Sequence, residues 1–287
     1  MKIIFLSFLF IFFSHHSDSQ SLGADRISKL KSSVVRVFVE KQASGTGFFV
    51  TQDGWLLTCW HVIEPALIRD SSHRIIGLKK MYIQFSNGEK VEVGIMTDLL
   101  GKGYQNGISY DYALLKIQTT PITKFSPLKI GRFEDIQEGD EIYTCGYPLG
   151  IEQQFISKGI LSTKWDDKET LKGGAGGESV INREVAWLDL TMNRGNSGGP
   201  IIKLGSTPNN DEVIGLADFI LNPFANAADE LINYLNENAN KGSILIQGVD
   251  FGKMALLFGS AIAYNSIGVS GCISIDYPRT LLIGENH

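Results

Sequence analysis

The chain is poor in the residues that build disulfide frameworks and metal sites. Its 287 residues include three cysteines, Cys59, Cys145 and Cys272, so at most one disulfide can form. No Cys-x-x-Cys spacing occurs, and with the few histidines present the cysteines define no metal site. We therefore expect no metal and no cofactor. The cysteines are interpreted as small buried hydrophobic side chains, and a bridge between Cys145 and Cys272 stays open because an oxidising compartment tolerates one.

Positive charge is scarce as well. The formal net charge is −5 at pH 7 and no basic block occurs, so the net field attracts neither nucleic acid nor an anionic membrane surface. Hydrophobic residues make up 43% of the chain and charged residues 20%, as in a globular protein. The composition argues against nucleic acid as the main partner.

Long apolar runs are confined to the N-terminus. After Lys2, the apolar run from Ile3 to Phe13 has 11 residues, and serine-rich residues 17–21 follow it. A membrane-spanning helix needs roughly 20 apolar residues. The pattern predicts a signal peptide over residues 1–21, export to a secreted or periplasmic location, and no stable membrane insertion after its removal. An uncleaved anchor is the alternative.

Short runs of β-branched and aromatic residues, bounded by Gly, Asn, Asp and Pro, recur through the first 220 residues. They cover residues 34–40, 47–51, 81–85, 90–95, 113–118, 141–146, 184–190 and 212–217. No long helical pattern interrupts the first 200 residues, which argues against βαβ units. The sequence predicts an all-β fold of closed antiparallel barrels.

Helical spacing is confined to the C-terminal quarter, where residues 225–238 carry apolar positions at i, i+3, i+4 and i+7 and residues 252–264 are a second candidate. Two polar, glycine-rich segments, 99–110 and 164–183, are predicted as long mobile loops. The glycine cluster at 173–177 lacks the Gly-Lys-Ser/Thr ending of a phosphate cradle.

Three residues carry the chemistry of the sequence. His61 ends the run Thr-Cys-Trp-His, Asp111 directly precedes an apolar strand, and Ser197 lies in Gly-Asn-Ser-Gly-Gly-Pro. A serine hydroxyl needs an imidazole to accept its proton, and the imidazole needs a carboxylate to fix its tautomer. The set predicts acyl transfer through a nucleophilic serine.

Each of the three has a competitor. His73 is a second histidine, but its polar context favours a solvated side chain. Asp98 competes with Asp111, which we favour because it opens a buried strand. Ser197 lies among residues that favour turns and could be a turn serine only, but strands are predicted on both sides of it.

Taken in order, these motifs resemble the trypsin-like serine proteases, and specifically the bacterial HtrA/Deg branch. The resemblance covers about residues 32–220 and rests on Gly-Thr-Gly-Phe-Phe-Val at 45–50, Asp-Tyr-Ala-Leu-Leu-Lys at 111–116 and Gly-Tyr-Pro-Leu-Gly at 146–150, besides the histidine and serine motifs. It implies two antiparallel six-stranded β-barrels with a C-terminal helical segment. Residues 22–128 would form the first barrel, carrying His61 and Asp111, and residues 129–287 the second, carrying Ser197.

The resemblance also implies the rest of the site. The oxyanion hole would lie at Gly195, Asn196 and Ser197, with the N–H groups of Gly195 and Ser197 as donors. Position relative to Ser197 predicts an uncharged specificity pocket that takes small or medium apolar side chains. Its residues would be Thr191, Met192, Leu216 and Ala217.

Two departures accompany the resemblance. Arg194 stands where the branch usually has proline, beside the oxyanion hole, and is predicted to alter the loop or meet an acidic substrate group. Only 70 residues follow Ala217, so we expect a protease domain without a PDZ domain.

The functional prediction is an exported serine endopeptidase that acts on unfolded or damaged polypeptides. A catalytically silent peptide-binding module on the same scaffold is the alternative. An esterase of the α/β-hydrolase type also uses Gly-x-Ser-x-Gly, but its order is Ser, Asp, His, the reverse of the order here.

Overall fold

The computed structural model describes residues 22–72, 74–95, 110–172, 178–220, 225–237, 245–246, 249–263 and 268–283. The predicted signal peptide, most of the predicted loop at 99–110 and the glycine cluster at 173–177 lie outside these residues.

The first barrel is closed and antiparallel. Its strands are joined in the order β1-β2-β3-β8-β7-β6, and β4 and β5 form a separate hairpin. The strands are β1 (Val34–Val39), β2 (Gln42–Phe49), β3 (Trp55–Thr58), β4 (Leu67–Arg69), β5 (Ile75–Leu78), β6 (Met81–Gln84), β7 (Lys90–Ile95) and β8 (Ala113–Ile117).

The second barrel is closed in the order β10-β11-β16-β13-β12-β9, while β14 and β15 pair separately. The strands are β9 (Glu141–Gly146), β10 (Phe155–Lys172), β11 (Glu178–Asp189), β12 (Pro200–Lys203), β13 (Glu212–Ile220), β14 (Leu245–Ile246), β15 (Val249–Asp250) and β16 (Val269–Ser274). Two closed six-stranded antiparallel barrels confirm the predicted fold class.

Alternation of side chains explains why these segments are strands. In β7, Val91, Val93 and Ile95 are buried while the residues between them are partly exposed, so one face meets the barrel core. An Asn-Gly turn connects β6 to β7, and Gly88 there has a φ of 91°, which a Cβ would strain. One buried cluster includes Phe48 of the first barrel and Tyr147 after the first strand of the second, so the barrels share a core.

Five helices surround the barrels in the described ranges: α1 (Gly23–Ser33), α2 (Trp60–Ile63), α3 (Ala225–Glu237), α4 (Phe251–Ala263) and α5 (Asp276–Ile283). The helices predicted at 225–238 and 252–264 are confirmed within one residue at each end. The sequence did not indicate α1 or α5. No helix among the described residues is both long and apolar enough to cross a bilayer.

Helix α1 is held to the second barrel by a buried ion pair. Arg26 Nε lies 2.7 Å from Asp211 Oδ2, and Arg26 also donates to the carbonyl oxygen of Gly205 at 2.6 Å. Asp211 accepts from the Tyr143 hydroxyl at 2.9 Å and from Gly205 N–H at 2.8 Å. Such contacts between distant residues stabilise an 11-residue helix that is marginal on its own.

The prediction of a mobile loop was wrong for residues 164–172 and 178–183, which lie in strands β10 and β11. Strands β10 and β11 pair from Ile160 with Asp189 as far as Lys172 with Glu178. The rings of Trp165 and Trp187 stack with centroids 5.1 Å apart, a cross-strand contact that stabilises a two-stranded ribbon. Polar composition alone does not prevent a strand that pairs with a neighbour along its length.

All three cysteines are free and buried. The bridge left open between Cys145 and Cys272 is therefore not formed, and the interpretation as small buried side chains is confirmed.

Candidate functional site

His61 is placed at the start of a short helix by the buried residues around it. Cys59 precedes α2 in extended conformation at the end of β3, and Trp60, Val62 and Ile63 are buried. These three anchors fix the helix against the first barrel. The His61 side chain is 43% exposed, so its ring stays accessible from the cleft.

Asp111 holds the imidazole of His61 through two contacts. Its Oδ1 accepts the backbone N–H of His61 at 2.8 Å, and its Oδ2 lies 2.7 Å from Nδ1 of the same residue. Asp111 has a φ of 50°, a left-handed conformation that aspartate tolerates better than most residues. With Nδ1–H directed at the carboxylate, Nε2 carries the free lone pair and can accept a proton.

The opposite charges of His61 and Asp111 shift the pKa values of the two groups in opposite directions. Burial alone lowers the pKa of the His61 imidazole, but the hydrogen bond and charge of Asp111 outweigh it and raise that pKa above 6.5. Burial raises the pKa of Asp111, but the hydrogen bond and charge of His61 lower it by more, so the net shift is downward. The pair is built to stabilise an imidazolium beside a carboxylate.

Ser197 lies where the two barrels meet. Its carbonyl oxygen accepts the N–H of Thr46 from β2 at 2.9 Å. Gly198 and Gly199 bond to Ala217 of β13 at 2.8 Å each, which aligns the serine segment with the second barrel. The Ser197 hydroxyl lies 3.4 Å from the carbonyl oxygen of Asp218, a weak contact that leaves the hydroxyl free to rotate.

The peptide between Arg194 and Gly195 has a defined orientation. The carbonyl oxygen of Arg194 accepts the N–H of Leu149 at 2.6 Å. Because a trans peptide directs its C=O and N–H to opposite sides, the N–H of Gly195 points away from Leu149. Neither Gly195 nor Ser197 has a backbone acceptor for its N–H among the described residues. Two donors are therefore open for an anionic oxygen.

Asn196 completes the turn. It is buried, donates its N–H to the carbonyl oxygen of Asn193 at 3.0 Å, and accepts from Gly199 N–H at 2.8 Å. Gly195, on its other side, has a φ of 99° and a carbonyl oxygen bonded to the Thr46 hydroxyl at 2.6 Å. The turn is fixed by both barrels.

The four residues predicted for the specificity pocket do not share one opening. Thr191 is exposed, whereas Met192 and Ala217 are buried together in the core of the second barrel. Leu216 is fully buried in the cluster that the barrels share. The pocket stays a prediction, and the burial of three of its residues leaves Thr191 as the accessible one.

A cavity of about 200 Å³ lies beside Gly195. Both Arg36 and Arg194 line it, together with Tyr147. Arg36 is buried and donates to the carbonyl oxygen of Gly150 at 2.7 Å. Arg194, which stands where the HtrA/Deg branch usually has proline, thus places a second guanidinium group on this side of the site.

Sequence reasoning missed Asp218, a largely but not fully buried acid in β13. Its Oδ1 lies 3.8 Å from Nδ1 of His61, and one of its carboxyl oxygens lies within 4.8 Å of one of Asp111. With Cys59 these residues offer four ligand-type atoms within 4.8 Å of one another. That the protein needs no metal stays a prediction. Neither competitor, His73 nor Asp98, lies within the described residues.

Comparisons with known proteins identify the family of the chain. Residues 45–215 match the trypsin-like peptidase domain family. Serine protease HTRA1 of Xenopus tropicalis is 28% identical over 235 residues, which are 77% of this chain and 44% of that protein. Chloroplastic protease Do-like 1 of Arabidopsis thaliana is 27% identical over 242 residues, 83% of this chain and 47% of that protein. The chain thus spans about half the length of these relatives.

Solved structures agree on the fold. The HtrA-type protease AlgW with a tripeptide has a TM-score of 0.54 at 18% identity, covering 91% of this chain and 62% of that one. The inactive form of the Rv3671c protease also has a TM-score of 0.54, at 16% identity, covering 92% of this chain and 93% of that one. The family match over residues 45–215 shows that the chain belongs to the trypsin-like peptidase family, and the relatives it is similar to are HtrA-type serine proteases.

Proposed function

We propose that this protein is an exported serine endopeptidase that cleaves unfolded or damaged polypeptides through His61, Asp111 and Ser197. The observation that supports it most is the 2.7 Å contact between Nδ1 of His61 and Asp111, which leaves Nε2 as a base beside the cleft. The Thr46–Ser197 hydrogen bond places the serine segment against the same barrel.

The first half-reaction forms an acyl-enzyme. Ser197 Oγ attacks the carbonyl carbon of the scissile bond while its proton moves to Nε2 of His61, and the carbonyl electron pair moves to the oxygen. The tetrahedral intermediate then expels the amine, which takes the proton from His61. An ester between Ser197 and the acyl half of the substrate remains.

The second half-reaction hydrolyses that ester. Water gives a proton to Nε2 of His61 and its oxygen attacks the ester carbonyl, after which Ser197 leaves and recovers the proton. Asp111 keeps its negative charge throughout and stabilises the imidazolium in both halves. The N–H groups of Gly195 and Ser197 bind the oxyanion in both tetrahedral intermediates.

Specificity follows from the absence of charge at the predicted pocket. None of Thr191, Met192, Leu216 and Ala217 is charged, so an arginine or lysine side chain would gain no ionic partner there. Small or medium apolar residues before the cleaved bond are proposed, and an acidic residue after it would face Arg36 and Arg194.

Export rests on the sequence alone, from residues 1–21. A secreted or periplasmic location is tested by sequencing the N-terminus of the protein recovered from each cell fraction. A mature N-terminus near residue 22 outside the cytoplasm supports export, and an intact Met1 in the cytoplasm contradicts it.

The activity is tested on denatured and native casein. We expect the wild type to cleave the denatured substrate at internal sites, and the Ser197→Ala variant to lose on the order of 10⁴ in turnover or more. Ser206→Ala, which alters an exposed serine of the second barrel, is the matched control and should keep activity. Equal cleavage by Ser197→Ala contradicts the proposal; peptide binding without cleavage by the wild type supports the silent binding module instead.

A further inference from the structure

Asp218 is directed into the site by an irregularity in its strand. In the pairing of β13 with β16, Ala217 lies opposite Cys272 and Phe219 lies opposite Gly271, so Asp218 is an extra residue without a partner. A bulge of this kind turns the side chain of the extra residue out of the normal alternation. The Asp218 side chain is 14% exposed and lies against His61 and Asp111.

The closeness of Asp111 and Asp218 favours a proton between them. A carboxylate oxygen of each lies within 4.8 Å of the other, beside the imidazole of His61, and two ionised carboxylates so close repel each other. Asp111 already accepts two N–H groups of His61 and is the better place for the negative charge. The proton therefore belongs on Asp218, whose O–H can donate to Asp111.

We infer that Asp218 is a positioning residue of the triad, protonated in the resting enzyme and donating a hydrogen bond to the Asp111 carboxylate. This inference rests on the proposed function for its effect on catalysis. The hydrogen bond holds Asp111 in the orientation that faces Nδ1 of His61. While Asp218 is neutral, only one negative charge, that of Asp111, lies beside the imidazole of His61.

The surroundings favour the neutral form of Asp218. Burial, followed by the charge of Asp111, raises the pKa of Asp218 to about 8. The charges of His61 and Arg183 act in the opposite direction but do not overcome these two effects. The thiols of Cys59 and Cys272 also face this group, and burial raises the pKa of each, so both stay neutral.

A bound cation is the alternative way to hold two carboxylates together. It would have to displace contacts already made, because Cys59 Sγ donates to the carbonyl oxygen of Ala217 at 3.3 Å and Nδ1 of His61 faces Asp111. The proton leaves these contacts intact.

The pH dependence of kcat/KM separates this inference from a structural role. The wild type should lose activity as pH rises through about 8, because an ionised Asp218 repels Asp111 and no longer donates to it. Asp218→Asn keeps a donor that does not ionise, so its alkaline limb should move up by at least about one pH unit or vanish. Asp218→Ala should lower kcat at pH 7 by about 10-fold or more, since it removes a charge-assisted hydrogen bond.

Asp189→Asn, an exposed acid of the same barrel with the same chemical change, is the matched control and should keep the wild-type limb. An unchanged alkaline limb in Asp218→Asn overturns the inference. So does a limb that moves in the wild type when a chelator is added, because the pair would then be held by a cation.

A stability measurement distinguishes failure of this inference from failure of the proposed function. In a Ser197→Ala background, a folded-state pKa of about 8 for Asp218 means that the folded protein binds more protons than the unfolded chain from about pH 4 to 8. The free energy of unfolding should therefore fall as pH rises through that window, and fall less steeply when Asp218→Asn is added. If the slope is found but the wild type shows no proteolysis, the inference about Asp218 stands and the proposed protease function is rejected. If the wild type is proteolytic but the slope is absent, the inference about Asp218 is rejected.

Discussion

The N–H of Leu149 donates to the carbonyl oxygen of Arg194 at 2.6 Å and thereby turns the N–H of Gly195 the other way. The peptide that follows Gly195 is fixed as well, because the Thr46 hydroxyl donates to the carbonyl oxygen of Gly195. If Gly195 is an oxyanion donor as predicted, this peptide already has its orientation in the structure, and we expect no rearrangement of it before the first turnover.

Gly195→Ala should lower kcat by about 100-fold while the protein stays folded. A Cβ there would meet the carbonyl oxygen of Tyr147, and the φ of 99° is strained for alanine. The peptide would rotate and withdraw its N–H. Steady-state kinetics on a peptide substrate, with the thermal midpoint beside them, measure both effects.

Gly139→Ala is its control. Gly139 also has a positive φ, of 89°, but a Cβ there meets nothing within 4 Å. It carries the same kind of backbone strain away from the site, so it should lower stability and leave kcat near the wild-type value. Equal losses of kcat in both variants would assign the effect to strain rather than to the oxyanion donor.

Asp111→Asn should lower kcat by about 10⁴ and shift the acid limb of the pH profile. Burial lowers the pKa of His61, but Asp111 raises it to a net value above 6.5. Since the base must be neutral, wild-type kcat/KM should rise with pH around a midpoint above 6.5. Without the carboxylate that midpoint should fall. A midpoint that does not move would mean that Asp111 is not the partner of the titrating group.

Asp211→Ala should destabilise the protein by about 3 kcal/mol, because it leaves the Arg26 guanidinium buried without its counterion. Urea unfolding monitored by fluorescence gives the change. The double variant Arg26→Met, Asp211→Leu should recover only the part due to the unpaired charge, since the Tyr143 hydroxyl and Gly205 N–H still lack their acceptor. Glu92→Ala, which breaks the exposed pair with Lys80, should cost less than about 1 kcal/mol. A small effect of Asp211→Ala would mean that α1 contributes little to folding.

The sequence predicted the barrels because their strands are short runs rich in β-branched and aromatic residues, such as the run of β7 in which Val91 and Val93 are buried. It also predicted the meeting of His61 with Asp111, since short motifs at strand ends carry both residues. Local pattern was enough in these places.

Where distant residues decide the structure, the sequence was not enough. The β10–β11 ribbon resembles a polar loop until its partner strand is known. Asp218 looks like a lone acid in an apolar strand, and only its register against β16 shows that it is a bulge aimed at His61. The burial of Leu216 in the shared core also depends on distant residues, and the specificity pocket stays a prediction.

The central claim is that His61 activates Ser197 as a nucleophile, and covalent labelling tests it most directly. The wild type is incubated with a fluorophosphonate ester, with and without chelator, digested, and mapped by mass spectrometry. We expect one label per chain on Ser197, unaffected by chelator and lost in His61→Ala. A label on another residue, or undiminished labelling of Ser197 in His61→Ala, would contradict it.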